Sequence, residues 1–139
     1  MKAFKEGSTH LLRVDRGEDL VASITGYCDA AGISSASVSG IGAVQGVEIG
    51  FYQLAAKQYQ RMRFEGIFEL LTLSGNITRV DGKAFMHAHA TLGASDFSVL
   101  GGHLFAAEVA VTGEIFLVET RLALTRKMND GVGLKLIDG

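Results

Sequence analysis

The sequence predicts an α+β fold, a mostly antiparallel β-sheet with one long packed helix. Three observations carry that prediction. Short segments alternating apolar and polar residues recur along most of the chain, the period of a half-buried strand. Only 16–31 has a helical period. Nowhere do strands and helices alternate as βαβ units, so a parallel sheet has no basis. Eighteen glycines and no proline among 139 residues leave turns to Gly, Asp and Asn. With 47% hydrophobic residues the chain reads as one compact domain, 1–139. Such a domain buries roughly 68% of its unfolded surface.

Residues 8–15, STHLLRVD, read as a first strand, with His10 a lone structural or exposed histidine. In 16–31, Leu20, Ile24 and Cys28, joined by Val21 and Ala31, form an apolar stripe at helical spacing. Asp15 and Glu18 have capping-box spacing at its start, and Gly32 is a natural stop. Cys28 falls on the buried stripe, which makes it a packing residue rather than a reactive one. Residues 33–43 form a small-residue strand in which Gly40 and Gly42 allow close backbone approach, a bulge or a bend.

Segments 44–53 and 57–65 read as a hairpin about Leu54-Ala55-Ala56, and 67–80 as a long strand with Gly75 as a candidate bulge. Asp81-Gly82 is a strong turn signal that leads into the histidine strand. After His103, 104–112 and 114–121 read as two strands broken at Gly113. Asn129-Asp130-Gly131 then turns the chain into a last short strand. The total is one helix and about eight strands.

The chemistry concentrates in Ala84 to Leu104, which holds three of the four histidines. In a strand, i and i+2 share a face. Phe85, His87, His89 and Thr91 therefore lie on one side, and Met86, Ala88, Ala90 and Leu92 on the other, against a core. Gly93, Asp96 and the Gly101-Gly102 pair allow the chain to return and set His103 beside the pair. Three neutral imidazoles at one point suit zinc, with a fourth position open to water. The same spacing is also compatible with unligated histidines on a polar face.

Thirteen basic and fifteen acidic side chains give a net charge of −2, which disfavours non-specific nucleic-acid binding. The visible basic clusters are Arg61 with Arg63, and Arg121, Arg126 and Lys127. A single cysteine, no run of 18 apolar residues and a charged N-terminal stretch lead us to expect a cytoplasmic protein without a membrane span. Glu69, Glu108 and Glu114 are the candidate general acids or bases, as acidic residues within expected strands. No catalytic residue is assigned from the sequence, and enzyme activity is left open.

Several motifs occur in order: Gly17-Glu18-Asp19-Leu20, the run Ala36 to Val44, Phe64 to Leu71, Leu73-Ser74-Gly75-Asn76, His87-Ala88-His89 and Gly101-Gly102-His103-Leu104. Together they resemble the plants-and-prokaryotes conserved (PPC) domain family over nearly the whole chain. The resemblance implies a compact antiparallel sheet with a packed helix, a fold similar to that of acetolactate decarboxylase, a three-histidine metalloenzyme. It also implies a homotrimer and, from the prokaryotic pattern, a zinc site at His87, His89 and His103 that would take a small anionic or carbonyl ligand. In plants the domain follows AT-hook motifs and mediates assembly. The AT-hook core, Arg-Gly-Arg-Pro, is absent here, so DNA binding is expected to be weak or absent. The plant partner segment Gly-Arg-Phe-Glu-Ile-Leu corresponds to Gly66, Ile67, Phe68, Glu69, Leu70 and Leu71, which makes Gly66, Phe68, Glu69 and Leu70 candidate partner-binding residues. The alternative to a metal-binding role is a DNA-associated regulatory or assembly module without chemistry.

Overall fold

Alternate side chains turn inward along much of Thr9–Asp15, Ala36–Gln53, Lys83–Gly93 and Val99–Glu119, and the extended segments pair into one sheet. A computed structural model describes residues 1–138. Its elements are β1 (Lys2–Glu6), β2 (Thr9–Asp15), α1 (Leu20–Ala30), β3 (Ala36–Gln53), β4 (Gln58–Val80), β5 (Lys83–Gly93), β6 (Val99–Glu119), β7 (Thr125–Asn129) and β8 (Leu134–Asp138). A 3-10 turn at Leu54–Ala56 joins β3 to β4. Strands β3 and β4, β4 and β5, β5 and β6, and β6 and β3 all pair antiparallel, so these four form a closed circuit of hydrogen-bonded neighbours. Outside it, β2 pairs with β6 and β1 with β2. The β7–β8 hairpin joins the sheet through the one parallel pair, Arg79 with Thr125. The α+β class therefore holds, with a sheet that is antiparallel apart from that pair.

The helix lies against β5, β6 and β2. Leu20, Ile24 and Cys28 are fully buried and meet a core that includes Leu12, Val14, Leu73, Ile77, Leu92 and Ile115. Burial pushes the Cys28 thiol up to about 11, which suits the packing role and removes thiolate chemistry at neutral pH. No helix among the described residues is long and apolar enough to cross a membrane.

Four local expectations are corrected. The helix starts at Leu20 with Asp19 as its N-cap, accepting from the Ala22 amide at 2.7 Å. Residues 17–19 are diverted to the sheet instead. The Gly17 amide donates to the Val109 carbonyl and the Val109 amide to the Glu18 carbonyl, while Gly17 sits at φ +84°. Glu18 still accepts from the Asp15 amide at 2.7 Å, so half of the expected capping box forms one turn early. Second, Gly113 does not interrupt a strand, because it is buried in β6 between Val14 and Gly42. Third, 33–43 and 44–53 merge into β3, and 57–65 and 67–80 into β4, with a register shift between Gln45 and Val47. Each long strand bends at such a bulge rather than ending. Fourth, Gly75 makes no bulge, because it pairs in register with Val38 on β3 and Ala88 on β5. Lys2–Glu6 adds an edge strand. Its lysines and full exposure gave no core pattern to read, and they blunt an edge that would otherwise template aggregation.

Two glycine substitutions should move stability in opposite directions in denaturant melts. A Cβ at Gly75 would lie 2.1 Å from the His87 carbonyl and 2.7 Å from the Ala88 Cα, so Gly75→Ala must displace β5. We expect it to cost about 1–3 kcal/mol, as overpacking does. Gly26 is exposed inside the helix with nothing within 4 Å, and Gly26→Ala should stabilise by about 0.5–1 kcal/mol.

Candidate metal centre

The histidine face forms as strand alternation requires. On β5, Met86, Ala88, Ala90 and Leu92 are buried, which turns His87 and His89 to the opposite side. The turn at 94–98 sends the chain back as β6, in a register that places His103 directly opposite His89. His103 also pairs with Gly50 of β3 on its other side. Backbones approach closely here because glycines make room. A Cβ on Gly101 would meet the Ala90 carbonyl at 2.7 Å, and one on Gly102 the Gly50 carbonyl at 2.8 Å.

The three imidazoles converge with ring centroids 5.4 Å (His87–His89), 5.1 Å (His87–His103) and 5.6 Å (His89–His103) apart. One nitrogen from each lies within 4.8 Å of the others, a span one metal ion can bridge. His103 Nδ1 is buried without a hydrogen-bond partner. Such an atom costs about 1–3 kcal/mol unless something satisfies it. Burial, then the neighbouring histidines His87 and His89 and the guanidinium groups of Arg61 and Arg126, hold His103 down at about 4. His87 is lowered for the same kinds of reason: burial first, then Arg126 and His89. Both rings are thus neutral at pH 7, the form a metal needs. A nitrogen-only donor set fits zinc or a similar borderline ion.

A cleft of about 530 Å³ opens onto His87 and His103, walled by α1, β4, β5, β6 and the β7–β8 hairpin. The His103 ring packs against Tyr59 at 4.9 Å and Phe105 at 4.6 Å. Arg61 lies over Phe105, 3.7 Å from its centroid. Arg126 reaches in from β7, with Nη2 3.5 Å from His87 Nδ1. The charged residues lining this cleft are Arg61, Arg126 and Lys135, all basic.

The other expected residues lie elsewhere. His10 is fully buried on β2, donating to or accepting from the Tyr27 hydroxyl at 2.8 Å, so it is structural and apart from the triad. Glu108 accepts from Gln45 at 2.6 Å, Glu114 lies between Arg13 and Ile41, and Glu69 pairs with Ala43 and Gly93. None of the three lines the histidine cleft. In the partner segment, Phe68 and Leu70 point into the core, while Gly66, Ile67, Glu69 and Leu71 are exposed. Several side chains of the basic clusters take acidic partners. Arg61 pairs with Glu48, Arg63 with Glu65 and Lys127 with Asp138, and Arg121 borders a hollow beside Glu119. Sequence reasoning missed Tyr59, Phe105 and the inward turn of Arg126, for which no local pattern exists.

No curated protein matches the chain in sequence. Solved structures do. A candidate DNA-binding protein of Bacteroides thetaiotaomicron superposes with a TM-score of 0.95 at 29% identity, covering 99% of this chain and 96% of that one. A plant- and prokaryote-conserved protein of Pyrococcus horikoshii gives 0.90 at 38% identity, covering 96% and 92%. A metal-containing protein of Archaeoglobus fulgidus gives 0.88 at 40% identity, covering 96% and 94%. The Plants and Prokaryotes Conserved (PCC) domain model matches residues 1–121. With the closed antiparallel sheet, the single packed helix and this match over most of its length, the chain belongs to the Plants and Prokaryotes Conserved domain family.

Proposed function

We propose that this protein is a homotrimeric zinc protein whose metal is held by His87, His89 and His103. The observation that carries the reading is the convergence of three imidazole nitrogens within 4.8 Å of one another, two of the rings, His87 and His103, lining a cleft. The metal-containing relative at 40% identity supports it. Zinc bound there supplies a Lewis acid toward a carbonyl or carboxylate oxygen or a bound water. The surrounding side chains bind and orient. Tyr59 brings a phenol that burial keeps protonated, and the basic lining favours an anion. The single buried cysteine accords with a reducing, cytoplasmic setting.

Self-association is supported by an exposed apolar sheet face. Ile41 (57% exposed), Val111 (64%), Leu71 and Phe116 border two adjoining shallow hollows across β3, β4 and β6. An exposed cluster of apolar side chains of this kind favours a contact surface, and Ile67 and Glu69 of the partner segment are exposed on the same strand, β4. The family resemblance supplies the number three. A DNA-associated role has less support, because three of the basic side chains that a phosphate backbone would need are tied to Glu48, Glu65 and Asp138.

Elemental analysis should find one zinc per chain, and His87→Ala, His89→Ala and His103→Ala should each weaken zinc in competition titrations by far more than about tenfold, the low end for losing a residue that only orients a ligand. If His103→Ala binds as tightly as wild type, the triad is wrong. The same titration repeated from pH 7.5 to 5 reports the protonation states. Protons compete with zinc only below each ring's own titration point. Because His87 and His103 titrate below the usual 6.5, affinity should fall with pH less steeply than the three-proton slope of ordinary histidines. A full three-proton slope near 6.5 would contradict the burial argument.

Light scattering should give three times the chain mass for wild type and the monomer mass for Ile41→Asp, which puts a charge in the apolar face. A monomeric wild type at micromolar concentration overturns the trimer. In a salt-dependent titration no tight, sequence-selective DNA complex should form at physiological ionic strength, and one that did would restore the DNA-associated reading.

A further inference from the structure

Of the three cations lining the histidine cleft, two are already paired. Arg61 lies 3.3 Å from Glu48 and Lys135 lies 3.3 Å from Asp81. Among the described residues Arg126 makes no ion pair, yet it is the one beside the histidines. Neutral acceptors fix its plane: Nε donates to Thr78 Oγ1 at 2.9 Å, Nη1 to the Lys135 carbonyl at 3.1 Å and Nη2 to Asn76 Oδ1 at 3.0 Å. Thr78 is fully buried, so this anchor is rigid. A guanidinium has five N–H donors; these bonds use three of them, and the longer 3.5 Å contact of Nη2 with His87 Nδ1 engages a fourth. The remaining donor belongs to a half-buried cation 3.5 Å from His87, in a cleft whose lining includes no carboxylate.

That arrangement leaves the charge of Arg126 without a carboxylate partner among the cleft residues. A planar, pre-oriented guanidinium is the best protein partner for a planar carboxylate. The rest of the cleft describes the remainder of the ligand. Phe85, Leu104, Phe105, Leu134 and Leu136 contribute apolar walls, and about 530 Å³ is far more than a bare anion fills. Arg126, Leu134 and Leu136 sit on the β7–β8 hairpin, beyond the 1–121 span of the family match. The hairpin is held over the cleft from outside, through the Tyr52 hydroxyl on the Val132 carbonyl at 2.5 Å and the Lys57 ammonium on the Asp130 carbonyl at 2.5 Å.

We infer that Arg126 is the anion-binding residue of this cleft, and that its ligand is a small organic carboxylate with an apolar body, the carboxylate on Arg126 beside the histidine centre and the body against the hairpin. The inference rests on the proposed metal site only in that the ligand would also face the metal.

The test is calorimetric titration of the zinc-loaded protein with 3-phenylpropionate, acetate, 3-phenylpropanamide and inorganic phosphate. We expect 3-phenylpropionate to bind about tenfold or more tightly than each of the others, because the amide loses the charge and acetate the apolar body. Arg126→Gln should keep its zinc by elemental analysis and lose about tenfold or more in 3-phenylpropionate affinity. Equal binding of acid and amide, tighter binding of phosphate, no binding of 3-phenylpropionate at millimolar concentration, or an unchanged Arg126→Gln overturns the inference and leaves the metal reading intact. Should Arg126→Gln fail to fold by circular dichroism, the acid-to-amide ratio on wild type decides. Should the wild type take up no zinc, the metal reading falls, and the same titrations on the metal-free protein decide the role of Arg126 by the same criteria.

Discussion

The close approach of β6 to both β3 and β5 is the constraint on which the rest of this molecule depends. At Gly101 and Gly102 there is no room for a side chain: an added Cβ would stand 2.7–2.8 Å from a carbonyl oxygen of the neighbouring strand. That contact closes the β3–β4–β5–β6 circuit, leaving those four strands without a free edge where they meet. It also fixes the register that sets His103 against His89. A slip of one residue would turn His103 to the opposite face. Core and histidine cluster are therefore two consequences of one strand pairing, because Ala88 and Ala90 face in for the same reason that His87 and His89 face out.

The electrostatics of the cleft follow from its closure. Desolvation is the first cause of the lowered His87 and His103 titration points, with the neighbouring cations acting in the same sense. A half-buried arginine beside half-buried imidazoles would be mutually repulsive if the rings were charged. Neutral rings remove that repulsion, and the hydroxyl, amide and carbonyl acceptors of Thr78, Asn76 and Lys135 hold the guanidinium without cancelling its charge. The result is a positive potential with no internal counter-ion among the lining residues, in a space of reduced dielectric where it acts strongly on whatever enters.

Apolar surface is divided unequally between the two sides of the sheet. One helix covers the region near β5 and β6, where Leu20, Ile24 and Cys28 complete the core. Ile41, Leu71, Val111 and Phe116 have no such cover within the chain. An apolar face of this kind left in water forgoes about 25 cal/mol per Å², which is a physical pressure toward a partner on a part of the sheet separate from the histidine cluster.

Much of this was legible in the sequence, where the signal was periodic and local. The alternation from Phe85 to Leu92, the stripe of Leu20, Ile24 and Cys28, and the turn at Asp81-Gly82 each follow from neighbours a few residues apart, and the structure has them all. The His-x-His pair and the glycines before His103 were enough to nominate the triad, because strand geometry alone puts i and i+2 on one face. What the tertiary structure decided was everything set by long-range hydrogen bonding. The helix lost its first turn because Gly17 and Glu18 bond to Val109, far away in the chain. Gly113 stayed within a strand because Val14 and Gly42 pair with it on both sides. Arg126, read locally as one of a basic cluster with Arg121 and Lys127, turns inward because Thr78 and Asn76 on β4 accept from it. Glycine marks a turn or a close approach with the same letter, and an arginine carries no mark of its direction. Only the pairing of distant strands supplies the acceptors and the missing space that choose between them.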